Sequence, residues 1–280
     1  KSLLNEILTA AADGDEKDGD DNAEKEETPV SPLLELALDE NASKLFLLLL
    51  PKDDKIRMKY FDPWERDILG SMPTIRENGA DVPTSKKDPE IRQRELLSHL
   101  KPALLEMCVN HADELMRSLP GSRVLKEVYA AWSPTNVIDA TVSACVASLD
   151  SDANGADEDG STQDAPSSVF EDPAGHLIIK HMVLLDAERT SQANKSSSDG
   201  DDGDEHEPAF SKALFEKVCD RFTDVASSNR GAFVMTALCK VESLAKQVKS
   251  KLKPEMKEWK KLSKGKGATA GYAALLKEIS

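Results

Sequence analysis

Apolar side chains recur at three- and four-residue steps through most of the 280-residue chain, and this spacing predicts helices. The clearest set is Leu96, Leu97, Leu100, Leu104, Leu105 and Cys108. Pro102 suits the first turn of a helix, so we predict a helix pair from about Pro89 to Met116 with a short break near Lys101. No run alternates as a strand does, and we predict no hairpin. The predicted fold class is all-α.

Acidic residues are concentrated in three tracts that contain few apolar side chains, Asp13–Glu27, Asp150–Asp164 and Ser196–Glu207. Together the tracts carry a net charge of −19, whereas the whole chain carries −15 and the other 238 residues carry +4. Segments of this composition bury too little apolar area to offset their conformational entropy. We therefore expect disordered acidic inserts on a helical scaffold whose own charge does not exclude a nucleic-acid partner.

Several classes of protein are excluded by what the sequence lacks. No apolar run reaches the length of a membrane span, and the first residues do not have the order of a signal peptide. Its four cysteines are far apart and form no metal-binding pair, so we expect buried, reduced thiols. No phosphate loop or catalytic motif is present, so we predict no enzyme and no cofactor. The start at Lys1, without Met and within a helical pattern, suggests a fragment of a longer chain.

A six-residue pattern recurs four times: a small residue, two variable positions, two apolar residues and one variable position. The copies begin at Ala42, Gly121, Gly175 and Gly231, which are 79, 54 and 56 positions apart. The first interval includes Tyr60 to Pro83, which we interpret as a long loop or a degenerate repeat. Units that pack only on their neighbours form a solenoid, so we predict an α-solenoid.

These copies resemble the central helix of a Pumilio (PUF) repeat, a three-helix unit whose middle helix lines a concave, RNA-facing surface. Three blocks, SKKDPEIRQRELL from Ser85, PAGHLIIK from Pro173 and SNRGA from Ser228, together resemble the C-terminal region, or CPL domain, of the Puf-A/Penguin family. The resemblance runs from about Pro32 to the C-terminus, outside the acidic tracts and the segment from Tyr60. It implies a divergent, nucleolar solenoid that binds RNA with little base preference and acts in large-subunit ribosomal RNA processing.

The variable positions of the copies agree with a loss of base reading. Base-reading PUF repeats carry combinations such as Asn or Ser with Gln, or Ser with Glu, at these positions. Here the three variable positions of the four copies are Ser43/Lys44/Leu47, Ser122/Arg123/Lys126, His176/Leu177/Lys180 and Ala232/Phe233/Thr236. None matches a base code. Lys and Arg can instead contact phosphates, which positions RNA without reading its sequence.

The candidate RNA-contacting residues are mostly basic. They are Lys86, Lys87, Arg92 and Arg94 near one helix start, Arg123, Lys126, His176 and Lys180 on the inner faces of central helices, and Arg230. The first four could equally form a solvated face that is paired with neighbouring carboxylates. For His176, the alternative is a hydrogen-bonded structural residue. Asn229 is interpreted as a helix cap.

The segment Lys240–Lys266 carries ten Lys against three Glu, with Trp259 among the lysines. Basic residues interleaved with an aromatic ring can form a stacking platform for a single strand. Alternatively, this is an amphipathic closing helix whose Trp259 points inward. The two interpretations are compatible.

The sequence therefore predicts the following organisation: the end of a helical repeat at 1–12, an acidic insert at 13–29, divergent PUF-like repeats at 30–149, an acidic insert at 150–168, and C-terminal repeats with Lys-rich capping helices at 169–280 that hold the insert 196–207. The predicted function is RNA binding in nucleolar pre-rRNA processing by a monomer without a membrane partner. The alternative is a protein-binding scaffold in ribosome assembly that makes no direct RNA contact. Ribosome assembly proteins are expected as further partners.

Overall fold

The computed structural model describes residues 31–69, 74–84, 87–154, 168–196, 209–264 and 270–280. The chain divides into two compact units, unit 1 up to Met107 and unit 2 from Cys108 onwards. The predicted segment 1–12, the first acidic tract, most of the other two tracts and the candidate Lys86 lie outside the described residues.

Unit 1 is built from short helices and one hairpin. Its elements are α1 (Pro32–Leu38), α2 (Lys44–Leu49), α3 (Asp54–Arg57), a 3-10 turn (Met58–Tyr60), α4 (Pro63–Leu69), β1 (Thr74–Glu77), β2 (Ala80–Pro83) and the greater part of α5 (Pro89–Asn110). Leu34, Phe46 and Leu50 are buried in its core. Gln93 Nε2 donates to the Leu49 carbonyl at 2.6 Å and so ties α5 to the end of α2.

The hairpin corrects the prediction that the chain contains none. Strands β1 and β2 pair antiparallel, with Ile75 opposite Val82. Asn78 and Gly79 connect them with φ of 51° and 85°. An Asn-Gly pair with two positive φ angles is the type I′ turn that two-residue hairpins favour. All eight strand residues are exposed, which explains why no alternating pattern indicates them.

Helix α5 also differs from the prediction. It runs without interruption through Pro102, and the break falls at His111, before α6 begins at Ala112. A proline removes one hydrogen bond from a helix but does not always end it, and here the apolar face of α5 continues past it through Leu104 and Cys108, both buried. The predicted break near Lys101 is therefore wrong.

Unit 2 is built from helices and short 3-10 turns. Its elements are α6 (Ala112–Arg117), α7 (Leu119–Trp132), α8 (Thr135–Asn154), α9 (Gly175–Ser196), α10 (Ala209–Val218), a 3-10 turn (Cys219–Arg221), α11 (Phe222–Ala226), α12 (Asn229–Leu238), α13 (Ala245–Leu252), a 3-10 turn (Lys253–Glu255), α14 (Met256–Leu262) and α15 (Ala270–Ile279). Helices α7, α9, α12 and α15 pack side by side in chain order. We call these four the central helices.

Each central helix begins in close contact with another backbone segment, which explains its glycine. A Cβ on Gly175 or Gly231 would collide with the carbonyl oxygen of the residue six positions earlier, and one on Gly121 would lie 3.0 Å from the corresponding Leu115 oxygen. Gly271 packs instead on the Asn229 carbonyl of α12. Close backbone approach thus requires glycine at positions 175, 231 and 271 and leaves little room beyond it at position 121.

Three of these helix starts, on α7, α9 and α12, share a capping residue three positions before the glycine. Ser118 Oγ accepts from the Gly121 N–H at 3.3 Å, Asp172 Oδ1 from Gly175 at 2.7 Å and Ser228 Oγ from Gly231 at 2.9 Å. These oxygens satisfy N–H groups that a helix start leaves without partners. The cap and the glycine together fix where each central helix begins.

Removing one of these caps should weaken the fold measurably. We expect Ser228→Ala to lower the free energy of unfolding by about 1 kcal/mol, because the Gly231 N–H loses its acceptor. Urea denaturation followed by circular dichroism measures the change. Ser250→Ala, on the exposed face of α13, serves as the control and should change stability by less than about 0.5 kcal/mol. Equal effects from the two variants would contradict the capping role.

A buried carboxylate joins three helices of unit 2. Asp186 on α9, 2% exposed, accepts hydrogen bonds from the Tyr129 hydroxyl of α7 and from the N–H and Oγ of Ser211 on α10, both at 2.8 Å. Arg189 donates to the Ala130 carbonyl at 2.6 Å and lies over the Tyr129 ring. Since buried polar groups are costly unless bonded, this network fixes the register of α9 against α7.

Candidate nucleic-acid interface

The central helices present a repeated pattern of exposure. In the copies that begin at Gly121, Gly175 and Gly231, the two apolar positions are buried and the positions two and five residues after the glycine are partly exposed. We call these partly exposed positions, with their equivalents on α15, the central row. Its members are Arg123 and Lys126 on α7, Leu177 and Lys180 on α9, Phe233 and Thr236 on α12, and Ala273 and Leu276 on α15.

Helix α15 contains a further copy of the six-residue pattern, beyond the four found in the sequence. The stretch Gly271-Tyr272-Ala273-Ala274-Leu275-Leu276 follows the same pattern, with Ala274 at the first apolar position. Because alanine is a weak apolar signal, the pattern of this segment in the sequence indicates a helix but does not mark it as a repeat. The spacing of 40 residues from Gly231 is the signal that could have identified it.

Charge changes along the central row. Its α7 and α9 positions hold Arg123, Lys126 and Lys180, whereas its α12 and α15 positions hold no charged side chain. Lys126 Nζ lies 3.1 Å from Glu127 Oε1, and Lys180 Nζ lies 5.4 Å from the centre of the Phe233 ring. The cationic part of the row therefore lies on α7 and α9, with an aromatic ring at its border on α12.

Two histidines on α9 lie within this cationic part. Partial burial, and then the charges of Arg230 and Lys180, lower the pKa of His176, although its bond to the Asp172 carbonyl acts in the opposite direction. His181 is exposed at the surface, and desolvation by the neighbouring side chains, and then the charges of Lys126, Lys180 and His176, lower its pKa. These couplings indicate that side chains from α7, α9 and α12 lie near one another. His181 was not a candidate, because it falls outside the six-residue pattern.

The residues at the start of α12 both have backbone partners. Arg230 Nη1 donates to the Glu171 carbonyl at 2.6 Å, and the side chain remains exposed. Asn229 Oδ1 accepts from the Gly271 N–H at 2.8 Å. Asn229 is therefore a cap, as predicted, but it caps α15 rather than its own helix, which Ser228 caps.

The structure shows His176 as a hydrogen-bonded structural residue, one of its two predicted interpretations. Its Nδ1 lies 2.7 Å from the Asp172 carbonyl oxygen, which can only accept, so Nδ1 donates its proton there. The other ring nitrogen, Nε2, is left for a ligand. The histidine is thus a hydrogen-bonded helix-start residue that also belongs to the cationic group.

The first copy, in unit 1, has a different register from the one the sequence suggested. Leu47, predicted as a ligand-facing variable position, is 1% exposed, whereas Leu45, predicted as a core position, is 47% exposed. The small residue that matches the glycines is therefore Ser43, itself buried. Lys44 Nζ bonds Glu65 Oε1 at 2.7 Å. The triplet Ser43/Lys44/Leu47 is wrong by one position.

The basic cluster at the start of α5 is exposed and partly paired. Lys87 forms an ion pair with Glu95, and Arg92 Nη2 lies 3.5 Å from the Lys87 carbonyl. Arg94 lines a shallow cavity of about 640 Å³ with Arg57 and Asp54, among other residues. This geometry favours an ordinary solvated face, because the cluster is exposed and the carboxylate of Glu95 balances one of its charges.

The Lys-rich segment is not a stacking platform. Trp259 is 2% exposed and is packed inward on α14, while Lys246, Lys253, Lys257, Lys260 and Lys261 are exposed. The amphipathic interpretation is therefore correct for this ring. The lysines remain a basic surface without an aromatic member.

The cysteines agree with the expectation of buried thiols, with one exception. Cys108, Cys145 and Cys239 are buried, and Cys219 is partly exposed. Burial raises the pKa of Cys108 to about 12 and that of Cys239 to about 11. Within the described residues, no group of three His, Cys, Asp or Glu side chains could hold a metal ion, and no helix is long and apolar enough to cross a membrane.

The side-by-side central helices and their repeated caps define a protein of the all-α, helical-repeat class. The structure of human Puf-A matches this chain with a TM-score of 0.61 and 24% identity, over 89% of this chain and 42% of that one. The predicted α-solenoid fold is thus confirmed.

The chain belongs to the CPL (NUC119) domain family, whose model matches residues 38–195. Human Pumilio homolog 3 is 29% identical over 253 residues, which cover 90% of this chain and 34% of that protein. Pumilio homology domain family member 6 of Schizosaccharomyces pombe is 30% identical over 114 residues, 40% of this chain and 17% of that protein. The chain thus spans about a third of the length of the curated Pumilio homolog 3 relatives it matches.

Proposed function

We propose that this chain binds RNA through the cationic part of its central row and has no catalytic activity. The observation that carries the proposal is the grouping of Arg123, Lys126, Lys180, Arg230 and the two histidines of α9 on three adjacent helices. Cations that share one face attract a polyanion and release its counterions. Membership of the CPL family, with Pumilio homolog 3 among the relatives, agrees with RNA as the ligand.

The row favours binding of phosphates over reading of bases. Arg123 and Lys180 are donors that suit phosphate oxygens, and the central row holds no Asn, Gln or Glu of the kind that base-reading repeats carry. Apart from its three basic residues, the central row holds Thr236 and otherwise only apolar side chains. We therefore expect affinity for RNA of any sequence.

The finer role follows from the family resemblance. We propose that the RNA is pre-ribosomal, that the protein acts as a monomer in large-subunit biogenesis in the nucleolus, and that ribosome assembly proteins bind beside the RNA. Crosslinking of the full chain to RNA in cells, with the sites mapped on both molecules, tests this role. Crosslinks confined to messenger RNA would contradict it.

A salt titration tests RNA binding itself. We expect a ten-nucleotide oligouridylate to bind the full chain about 50-fold more weakly at about 200 mM than at about 50 mM salt, since about four phosphate contacts on a single strand give a logarithmic slope near −3. Fluorescence anisotropy measures the affinity. An oligoadenylate of equal length is the control and should bind within about threefold. No binding at low salt would contradict the proposal.

A second candidate function, docking of a partner protein, is favoured by unit 1. Trp64 and Ile68 lie four residues apart on α4 and are each 63% exposed, and Ile75 on the hairpin is 47% exposed. Exposed apolar side chains that share one side of a helix, as Trp64 and Ile68 do, are typical of protein interfaces. If docking alone is the function, Trp64→Ser abolishes recovery of assembly proteins with the tagged full chain, and the salt titration detects no RNA binding.

A further inference from the structure

The two histidines of α9 occupy the centre of the cationic group. Lys180 is the sequence neighbour of His181 and lies one helical turn from His176. The charge of Lys126 on α7 lowers the pKa of His181, and the charge of Arg230 on α12 lowers the pKa of His176. His176 and Lys180 are four residues apart and so lie on one side of the helix. An RNA backbone that contacts the lysines and Arg230 must pass beside both imidazoles.

Before RNA binds, this environment disfavours a proton on either ring. Desolvation by the surrounding side chains lowers the pKa of both histidines below the usual range, and the neighbouring cations repel an imidazolium ion. The carboxylates nearby do not compensate. Glu127 on α7 pairs with Lys126 at 3.1 Å, and on α6, which also packs on α9, Asp113 pairs with Arg117 and Glu114 with His111, both at 2.9 Å.

One carboxylate does face His176. Asp172 precedes α9 and raises the pKa of this histidine through its charge, more weakly than the other influences. Its Oδ1 already accepts from the Ala174 and Gly175 N–H groups, at 2.8 and 2.7 Å. It therefore acts mainly as the cap of α9 and stays in place when a ligand binds.

We propose that His176 and His181 bind RNA phosphate oxygens as imidazolium ions, so that RNA binding to this face takes up protons from solvent. The proposal rests on the proposed RNA-binding function and assigns His181 to the site. A neutral His176 donates only through Nδ1, which is occupied by the Asp172 carbonyl, so its Nε2 can donate to a phosphate only after protonation. Bound phosphates supply the negative charge that favours this proton.

The sign of the pH dependence follows directly. A phosphate raises the pKa of each histidine in the complex above its value in the free protein, so affinity rises as pH falls through the interval between the two values. Each unit of difference gives tenfold in affinity, and an opposite charge at close range shifts a pKa by about 1 to 3 units. We therefore expect at least a tenfold gain in affinity between about pH 8 and about pH 6.

The experiment measures the affinity of the full chain for oligouridylate over this pH range at constant ionic strength. Uracil bases and phosphodiesters do not titrate there, so the gain reports on the protein. The double variant His176→Gln/His181→Gln should lose the pH dependence, to less than about twofold, and the control His111→Gln, on a histidine paired with Glu114, should keep it. Calorimetry in two buffers of different ionisation enthalpy should show proton uptake by the unmodified chain and by the His111→Gln control, and none by the double variant.

The possible outcomes separate this inference from the proposed function. RNA binding that does not depend on pH, or a pH dependence that persists in the double Gln variant, overturns the role of the histidines and leaves RNA binding intact. No binding at any pH overturns RNA binding and the inference with it. A melting temperature of the double variant equal to that of the unmodified chain confirms that the comparison is made on a folded protein.

Discussion

Replacing Gly231 with alanine is expected to lower the free energy of unfolding by about 3 kcal/mol, the upper part of the range for overpacking a tight site. The added Cβ would fall on the Val225 carbonyl oxygen, closer than real Cβ contacts come. A carbonyl oxygen of a neighbouring helix cannot rotate away as a side chain can, so α12 must shift from α11. Urea denaturation of the full chain, followed by circular dichroism, measures the loss.

Gly121→Ala is the matched control, because Gly121 has the same place in its repeat. Its added Cβ would lie 3.0 Å from the Leu115 backbone, a contact that small shifts relieve. Alanine also favours a helix over glycine by up to about 1 kcal/mol. We expect a net change of less than about 1 kcal/mol. If the two variants lose equal stability, close backbone approach is not the reason for Gly231.

The sequence predicts the repeat well where glycine marks it. At Gly121, Gly175 and Gly231 the helix and the two buried apolar positions agree with the pattern, because a glycine and two buried positions leave one register. Of the variable positions, Ser122 and Ala232 are buried, so the prediction that they face a ligand is wrong. At Ala42 the register was wrong by one position. Small and apolar residues follow one another there, from Ala42 to Leu50, so several alignments fit equally well.

Other features depend on contacts that a linear pattern does not contain. The hairpin at Asn78 has exposed strands and therefore no apolar signature, although its Asn-Gly pair was a usable signal. The role of Asp186 cannot be predicted from the sequence, where it looks like any acidic residue of a helix. Its partners Tyr129 and Ser211 are 57 and 25 residues away along the chain and meet it only in the fold. His181 becomes a candidate only when Lys126 is seen to act on it.

Among the candidate site residues, geometry separates two groups. Lys87, with its Glu95 partner, and Arg92 lie on an exposed and partly balanced surface of unit 1. The candidates of unit 2 lie on adjacent helices that pack in order, and the charges of Lys126, Lys180 and Arg230 act on one or both histidines of α9. The RNA-binding hypothesis is therefore tested most directly on the central row.

Reversing two charges of the central row, Arg123→Glu together with Lys180→Glu, is expected to weaken oligouridylate binding about 100-fold. Each change removes a cation from the phosphate path and adds a repulsive carboxylate, which we take as about 1.4 kcal/mol per site, or tenfold. Lys126 is left unchanged because a carboxylate there would lie beside buried Glu127. Fluorescence anisotropy at about 50 mM salt measures the affinity.

The matched control reverses two exposed lysines elsewhere in unit 2, Lys246→Glu together with Lys257→Glu, and so changes the net charge equally. If RNA follows the central row, this control weakens binding by less than about fivefold, through long-range attraction alone. A loss as large as that of the row variant would place the RNA on the Lys-rich C-terminal helices instead. Melting curves of both variants separate lost binding from lost folding, since neither pair of side chains is buried.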